Sequence, residues 1–371
     1  MSEEKKPSPV TPPSLFQFEN IWRAVSVPLV AVLLALLIGA FILILSGANP
    51  ITAYAALIKG SFGSTASIGR TLEKATPLIF GGLAVALGFR GGLFNIGAQG
   101  QLLLGALVAA AIGFGVQGLP WFIHAPLALL GGALAGALYA FIPGALKVYT
   151  GAHEVITTIM LNYVAFNITD YFADGPLKDT SPGNIVARNP MILDSARIPT
   201  YSFLPIGFAI EVLADIVVWW LLWKTIIGFE VRTVGLNPNA ARYAGIKVAR
   251  TVILTMMISG FLAGMGGAVE TLGVVGRYQP GFNLGLGFDA ITIALLGRTH
   301  PFGVIPAALI VGAMKAGSAQ MQFSAGVAKE ITDVIQALIL FLVAADMIIR
   351  WLIRARDTRE EIKLSTGWGQ Q

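Results

Sequence analysis

No Asp, Glu, Lys or Arg occurs between Arg90 and Lys147, and no other stretch constrains the fold of this chain as strongly. A helix needs about 20 apolar residues to cross a bilayer, so the run holds two spans, divided at the breaker Gly115-Val116-Gln117-Gly118-Leu119-Pro120. Its head, Gly91-Gly92-Leu93-Phe94-Asn95-Ile96-Gly97-Ala98-Gln99-Gly100-Gln101, sets the carboxamides of Asn95, Gln99 and Gln101 among glycines, with no ionised group beside them. Amides donate and accept hydrogen bonds without the solvation penalty of a charge, and glycines permit close backbone approach. Such a segment suits a path for a neutral polar solute, and it suits equally the hydrogen-bonded packing of helices against one another. Both readings stand at this level.

Only 12% of the residues are charged and 55% are hydrophobic, with a mean hydropathy of +0.74. Soluble domains carry roughly 25% charge. The composition therefore predicts an all-α, polytopic transmembrane helical bundle. There is no cysteine, which removes thiolate metal sites, disulfides and thiol nucleophiles together. His124, His153 and His300 lie far apart. His153-Glu154 begins like a zinc-protease helix, but Thr157 stands where the second histidine is required, and no Gly-Lys-Ser/Thr occurs to build a P-loop. No catalytic residue, metal site or cofactor is predicted, and the chain does not read as an enzyme. The net charge of +5 comes from basic residues scattered between apolar spans, a pattern of membrane topology rather than of nucleic-acid binding.

About ten spans are expected: 24–45, 76–88, two in the charge-free block, 155–169, 206–223, 251–269, 284–296, 302–320 and 331–349. Eight crossings remain if two short segments are re-entrant; the segment near 284–297, interrupted by Gly285, Gly287 and Asp289, is one candidate. Threading from an inside N-terminus puts sixteen basic residues, among them Lys5, Lys6 and Arg350, in the cytoplasm and eight, among them Lys178 and Lys329, outside. That bias predicts a multi-pass protein of the cytoplasmic membrane with both termini inside. The organisation expected is a proline-rich cytoplasmic tail (1–23), a membrane domain (24–350) with an outer loop at about 170–205 and a cytoplasmic loop at about 225–250, and a second cytoplasmic tail (351–371). Gly132/Gly136 and Gly260/Gly264 have the spacing of close helix crossings.

The cytoplasmic loop contains a written-out short helix. Asn237 is a favoured N-cap, Pro238 sits at the first helical position, and Gly245 is a natural stop. Isolated helices need roughly 12–15 residues, so something must hold this one. A partner protein would meet the smooth surface of Ala240, Ala241 and Ala244, anchored by Arg242 and Tyr243; alternatively the helix is a connector resting on its own spans. In the fifth span, Glu154, Thr158, Asn162, Phe166 and Asp170 recur every four residues, with Thr157 alongside, as a slowly winding stripe. Thr158 and Asn162 could hydrogen-bond a solute and Phe166 could stack on a ring, or Thr158 back-bonds to its own helix and Phe166 packs. Asp289 and Lys315 could pair within the membrane, which is what a proton- or sodium-coupled carrier would use.

Taken together, GLFNIGAQGQ, the segment from Gly151 to Tyr163 and GLNPNAARYAGI resemble the membrane permeases of bacterial binding-protein-dependent ABC importers. The resemblance spans roughly residues 25 to 350 and is strongest to the nucleoside and simple-sugar branch; ribose permeases carry Gly-Ile-Asp-Leu-Ser where this chain has Leu93-Phe94-Asn95-Ile96-Gly97. It implies a transmembrane subunit that pairs with a second permease, equal or different, and rests on a cytoplasmic P-loop ATPase through the helix at Pro238. It further implies small-molecule cargo delivered by an extracytoplasmic solute-binding protein. The residues expected along the path are Asn95, Gln99, Gln101, Thr157, Thr158, Asn162 and Phe166; those expected at the ATPase are Asn237, Pro238, Ala240, Ala241, Arg242, Tyr243 and Gly245.

Overall fold

The computed structural model describes residues 18–281, 285–328 and 330–344. Residues 1–17 of the first tail, the whole of the second, Lys329 and the basic residues from Arg350 onward lie outside that range. The described residues form thirteen helices: α1 (Phe18–Leu45), α2 (Pro50–Phe62), α3 (Thr65–Arg90), α4 (Ala98–Gly115), α5 (Trp121–Thr150), α6 (Glu154–Asp174), α7 (Ile206–Lys224), α8 (Ile226–Leu236), α9 (Pro238–Tyr243), α10 (Val248–Glu270), α11 (Leu286–Leu296), α12 (Pro301–Ala325) and α13 (Glu330–Ala344). α10 continues into a π turn, Thr271–Val275.

Seven of these helices are long and apolar enough to cross a membrane. The remaining expected spans correspond to α6, which is more polar, to α13, and to α11, whose 11 residues rise about 16 Å, roughly half the hydrocarbon thickness. α2 has no counterpart among the expected spans, and α3 is longer than the span expected at 76–88. α2 starts at Pro50 behind its N-cap Asn49, whose side chain accepts from Ile51 N, and α3 begins at Thr65, well before the apolar run at Thr76. Arg70, Glu73 and Lys74 ride on the first turns of that helix, because a helix end outside the hydrocarbon tolerates charge.

α3 forms the centre, and every residue from Ala75 to Phe89 is buried. Around it pack α10, α11 and α12, with α4 and α5 against α10, α6 against α4, and α7 against α3 and α12. The two small-residue pairs meet each other: a Cβ on Gly136 would lie 2.8 Å from Gly264 Cα, and one on Gly264 would lie 3.0 Å from Gly136 Cα. α5 and α10 thus touch backbone to backbone, which van der Waals packing favours where no water remains to be expelled. The opposite face of α5 turns Leu130, Leu134 and Leu138 outward, an apolar stripe for lipid.

The bundle has two distinct ends. One carries α8 and α9, the turn after α3 and the N-terminus of α12. The other carries the segment 175–205, which folds back on the bundle: Leu193 N donates to Gly113 O, Ile192 N to Gly276 O and Ile198 N to Leu272 O, each 2.9 Å. His124, buried in α5, is 2.8 Å from Ser195 Oγ and fastens the same segment.

Candidate functional site

Two helices begin inside this bundle without a side-chain cap of their own, and the amides of the motif supply what is missing. α4 starts after Gly97 and α11 after Gly285, and neither has a local capping hydrogen bond. The first N–H groups of a helix have no partner within it, and lipid offers none. Gly100 N at the start of α4 donates to Asn162 Oδ1 of α6 at 2.9 Å, and Gly287 N at the start of α11 donates to Gln99 Oε1 at 2.7 Å. Asn162 Nδ2 in turn donates to Ile96 O at 3.0 Å. Asn95 closes the set: its Oδ1 accepts from Gly97 N (3.0 Å) and Gln101 Nε2 (3.1 Å), and its Nδ2 donates to Gln101 Oε1 (2.9 Å) and Ser259 Oγ (2.8 Å).

The structure therefore brings Asn95, Gln99, Gln101 and Asn162 together as a sealed network. Asn95 and Gln99 are 0% exposed, Gln101 1% and Asn162 2%. Thr158 is also 0% exposed and donates to Glu154 O of its own helix at 2.6 Å. Thr157 and Phe166 are partly exposed, and Phe166 packs on the core. In this conformation none of the four amides faces an open path.

The stripe foreseen on α6 does not stay on one face. Each step of four residues advances about 40° beyond a full turn, so four steps carry the stripe almost to the opposite side. Glu154, Thr158, Asn162 and Thr169 consequently face the bundle, while Asp170 is exposed. The outer face instead presents Tyr163 (62% exposed), Asn167 and Tyr171 (67%), which line a shallow groove with Val164, Ile168 and Phe172. These residues were legible as a second polar series at four-residue spacing, but the sequence does not say which series turns outward. At the α9 end, Glu154 is held by Lys147 at 2.6 Å, both side chains being at most 10% exposed.

α9 matches its written signals. Asn237 Oδ1 accepts from Asn239 N and Ala240 N at 3.0 Å, and Gly245 takes φ +83°. Ala241 is not part of the outward surface: it is 0% exposed and packs with Leu93, Val234, Val248, Val252 and Met256. Burying that alanine is what lets so short a helix persist, while Ala240, Arg242 and Ala244 stay exposed and Tyr243 is 95% exposed. Leu93 belongs to the turn that bears the amides, and Gly235 at the end of α8 lies against Arg90 and Gly92 of that turn. The two motifs are therefore in direct contact.

Asp289 and Lys315 do pair, at 2.8 Å, and Gln336 donates to the same carboxylate. Glu211 and Asp215 lie fully buried on the inward stripe of α7. Among the described residues no group of three or more His, Cys, Asp or Glu could hold a metal ion.

Residues 67–344 match the family described as branched-chain amino acid transport system / permease component. The chain is 42% identical over 335 residues to the guanosine ABC transporter permease protein NupP of Bacillus subtilis, covering 88% of this chain and 95% of that one. It is 37% identical to the nucleoside ABC transporter permease protein NupB of Lactococcus lactis (90% and 94% covered). To the glucose ABC transporter permease protein TsgB13 of Haloferax volcanii the identity is 34%, with 90% of each chain covered. A family match over most of the chain, together with relatives this similar across nearly their whole length, makes this multi-pass membrane protein a member of the branched-chain amino acid transport system permease family.

Proposed function

We propose that this chain is the membrane-spanning permease subunit of an ATP-driven importer for a nucleoside-like solute or simple sugar, and that it forms the path together with a second permease subunit. The observation that carries the reading is α9, a six-residue helix pinned to the bundle by Ala241 with Arg242 and Tyr243 standing free. A separate cytoplasmic P-loop ATPase seats on that face, from Asn237 and Pro238 through Ala240, Arg242 and Tyr243 to Gly245. This puts the α9 end and both termini in the cytoplasm, and the end bearing segment 175–205 toward a solute-binding protein. The named cargo of the relatives supports the cargo class.

The outer face of α6, with Thr157 and Phe166 at its edges and Tyr163, Asn167 and Tyr171 along it, is the wall of the path in this proposal. Asn95, Gln99, Gln101, Thr158 and Asn162 serve the path by holding that wall. A displacement of α9 has a packed route to it, through Ala241 and Leu93 to the amide turn, then through Gly100 and Asn162 to α6. The test is uptake of guanosine and glucose into proteoliposomes holding the complex assembled with its ATPase, partner permease and binding protein. Uptake should require ATP and continue after the proton and sodium gradients are collapsed. Uptake that follows a gradient without ATP would overturn the proposal and favour a coupled carrier built on Asp289 and Lys315.

A further inference from the structure

At the α9 end of α7 the bundle carries a cluster that neither the amide network nor α9 uses. Two guanidiniums share one indole: Arg90 Cζ lies 5.4 Å and Arg232 Cζ 5.8 Å from the ring centre of Trp223. Lys224 Nζ is 5.8 Å from the ring of Trp219, which stacks on Phe302 at 5.7 Å. The cluster is built rather than incidental. Arg298 and Thr299 both take left-handed backbone angles (φ 54° and 53°), unusual for non-glycine residues. That turn presents the Thr299 carbonyl, which accepts from Arg90 Nε at 2.9 Å and fixes the guanidinium over Trp223. His300 lies tilted against the same indole, with ring centres 5.0 Å apart.

We infer that this cluster binds the phosphate headgroup of an anionic phospholipid. Neither Lys224 nor Arg232 takes part in any ion pair among the described residues. Glu230, the nearest acid in sequence, stands two residues from Arg232 and so about 200° round α8. Like charges gathered on one aromatic platform repel unless an anion lies between them, and a guanidinium fork matches phosphate oxygens in pairs. What favours lipid over a free anion is the surface that continues from the cluster. Leu213, Ile216, Val217 and Trp220 of α7 and Phe302 of α12 are all exposed, so an apolar face for acyl chains begins where the cations end. Tryptophans beside Lys and Arg are the ordinary furniture of the membrane boundary, and basic pockets between spans hold anionic headgroups. The site flanks α7, which packs on α3 and α12, whereas α6 packs on α4 and α5, so a lipid there leaves the proposed path wall clear.

The experiment uses the full-length protein in neutral detergent, titrated with dioleoylphosphatidylglycerol, dioleoylphosphatidylcholine or inorganic phosphate, read by native mass spectrometry and thermal unfolding. Phosphatidylglycerol should bind in preference to phosphatidylcholine and raise the unfolding temperature. The double variant Lys224→Gln/Arg232→Gln should weaken phosphatidylglycerol roughly tenfold or more, from the loss of two interfacial cations, with phosphatidylcholine unaffected. Lys224→Gln alone, at an exposed position, should give part of the loss with no effect on folding. Phosphatidylglycerol binding by the folded single and double variants equal to that of the parent would overturn the inference. So would displacement of the lipid by millimolar phosphate, which would make this a free-anion site, or loss of ATPase co-purification with lipid binding unchanged, which would make it a protein contact.

Discussion

Asn162→Leu separates a structural amide from a cargo ligand. The substitution keeps the bulk but strips partners from Gly100 N–H and Ile96 C=O, both held at a site 2% exposed. A buried backbone group left without a partner costs about 1–3 kcal/mol in soluble proteins, which for two groups would be about 2–6. Interhelical hydrogen bonds in membranes are weaker, averaging about 0.6 and reaching about 1.7 kcal/mol, because the unfolded reference in lipid also finds partners. The membrane scale governs here, so the expected loss is about 1–3 kcal/mol. That is a shift of about 5- to 150-fold toward unfolded protein by the usual conversion. The assay pairs membrane abundance and detergent thermal stability with uptake by the assembled complex. Abundance, stability and uptake should fall together, and uptake per folded molecule should stay within about twofold. Normal abundance and stability with uptake abolished would refute the reasoning and make Asn162 a group that touches the cargo.

Three further outcomes follow from the geometry. Tyr243→Ala should leave the thermal stability of the isolated subunit unchanged and lower ATPase stimulation in the complex, whereas Ala241→Asp should destabilise the subunit itself by several kcal/mol, since it buries an unpaired charge; equal behaviour of the two would remove α9 as a docking face. Lys147→Leu, which strands Glu154 without its 2.6 Å partner, should lower stability by about 3–5 kcal/mol, and Lys147→Leu/Glu154→Leu should restore most of it; thermal unfolding of all three variants reads the difference, and no recovery in the double variant would count against the pairing. In segment 175–205, hydrogen bonds from Ser181, with the nearby Arg188, hold the Asp179 carboxyl below its ordinary value. The stabilisation is therefore complete above the ordinary carboxylate pKa and lost as pH falls through the lowered one; the protection of this segment against hydrogen exchange, taken relative to the intrinsic rate at each pH, should fall on acidification in the parent and change less in Asp179→Asn.

What the sequence determines by itself is where helices start, stop and approach. The charge-free run sets two spans, Asn237, Pro238 and Gly245 bound α9 through local capping geometry, and Gly132/Gly136 and Gly260/Gly264 announce a close crossing that α5 and α10 make. Each of these is decided within a few residues, by dihedral preference, solvation or the absence of a side chain. Which way a polar group faces is decided elsewhere. Gln99 and Asn162 read equally well as path or as packing until Gly287 and Gly100 are seen opposite them, 188 and 62 residues away along the chain. Ala241 looks like open surface until Leu93 and Met256 close over it. Tyr163, Asn167 and Tyr171 take the outer face of α6 because α4 claims the other one. A carboxamide carries the same donors and acceptors toward cargo as toward an orphan helix N–H, so only the placement of a distant neighbour selects between them.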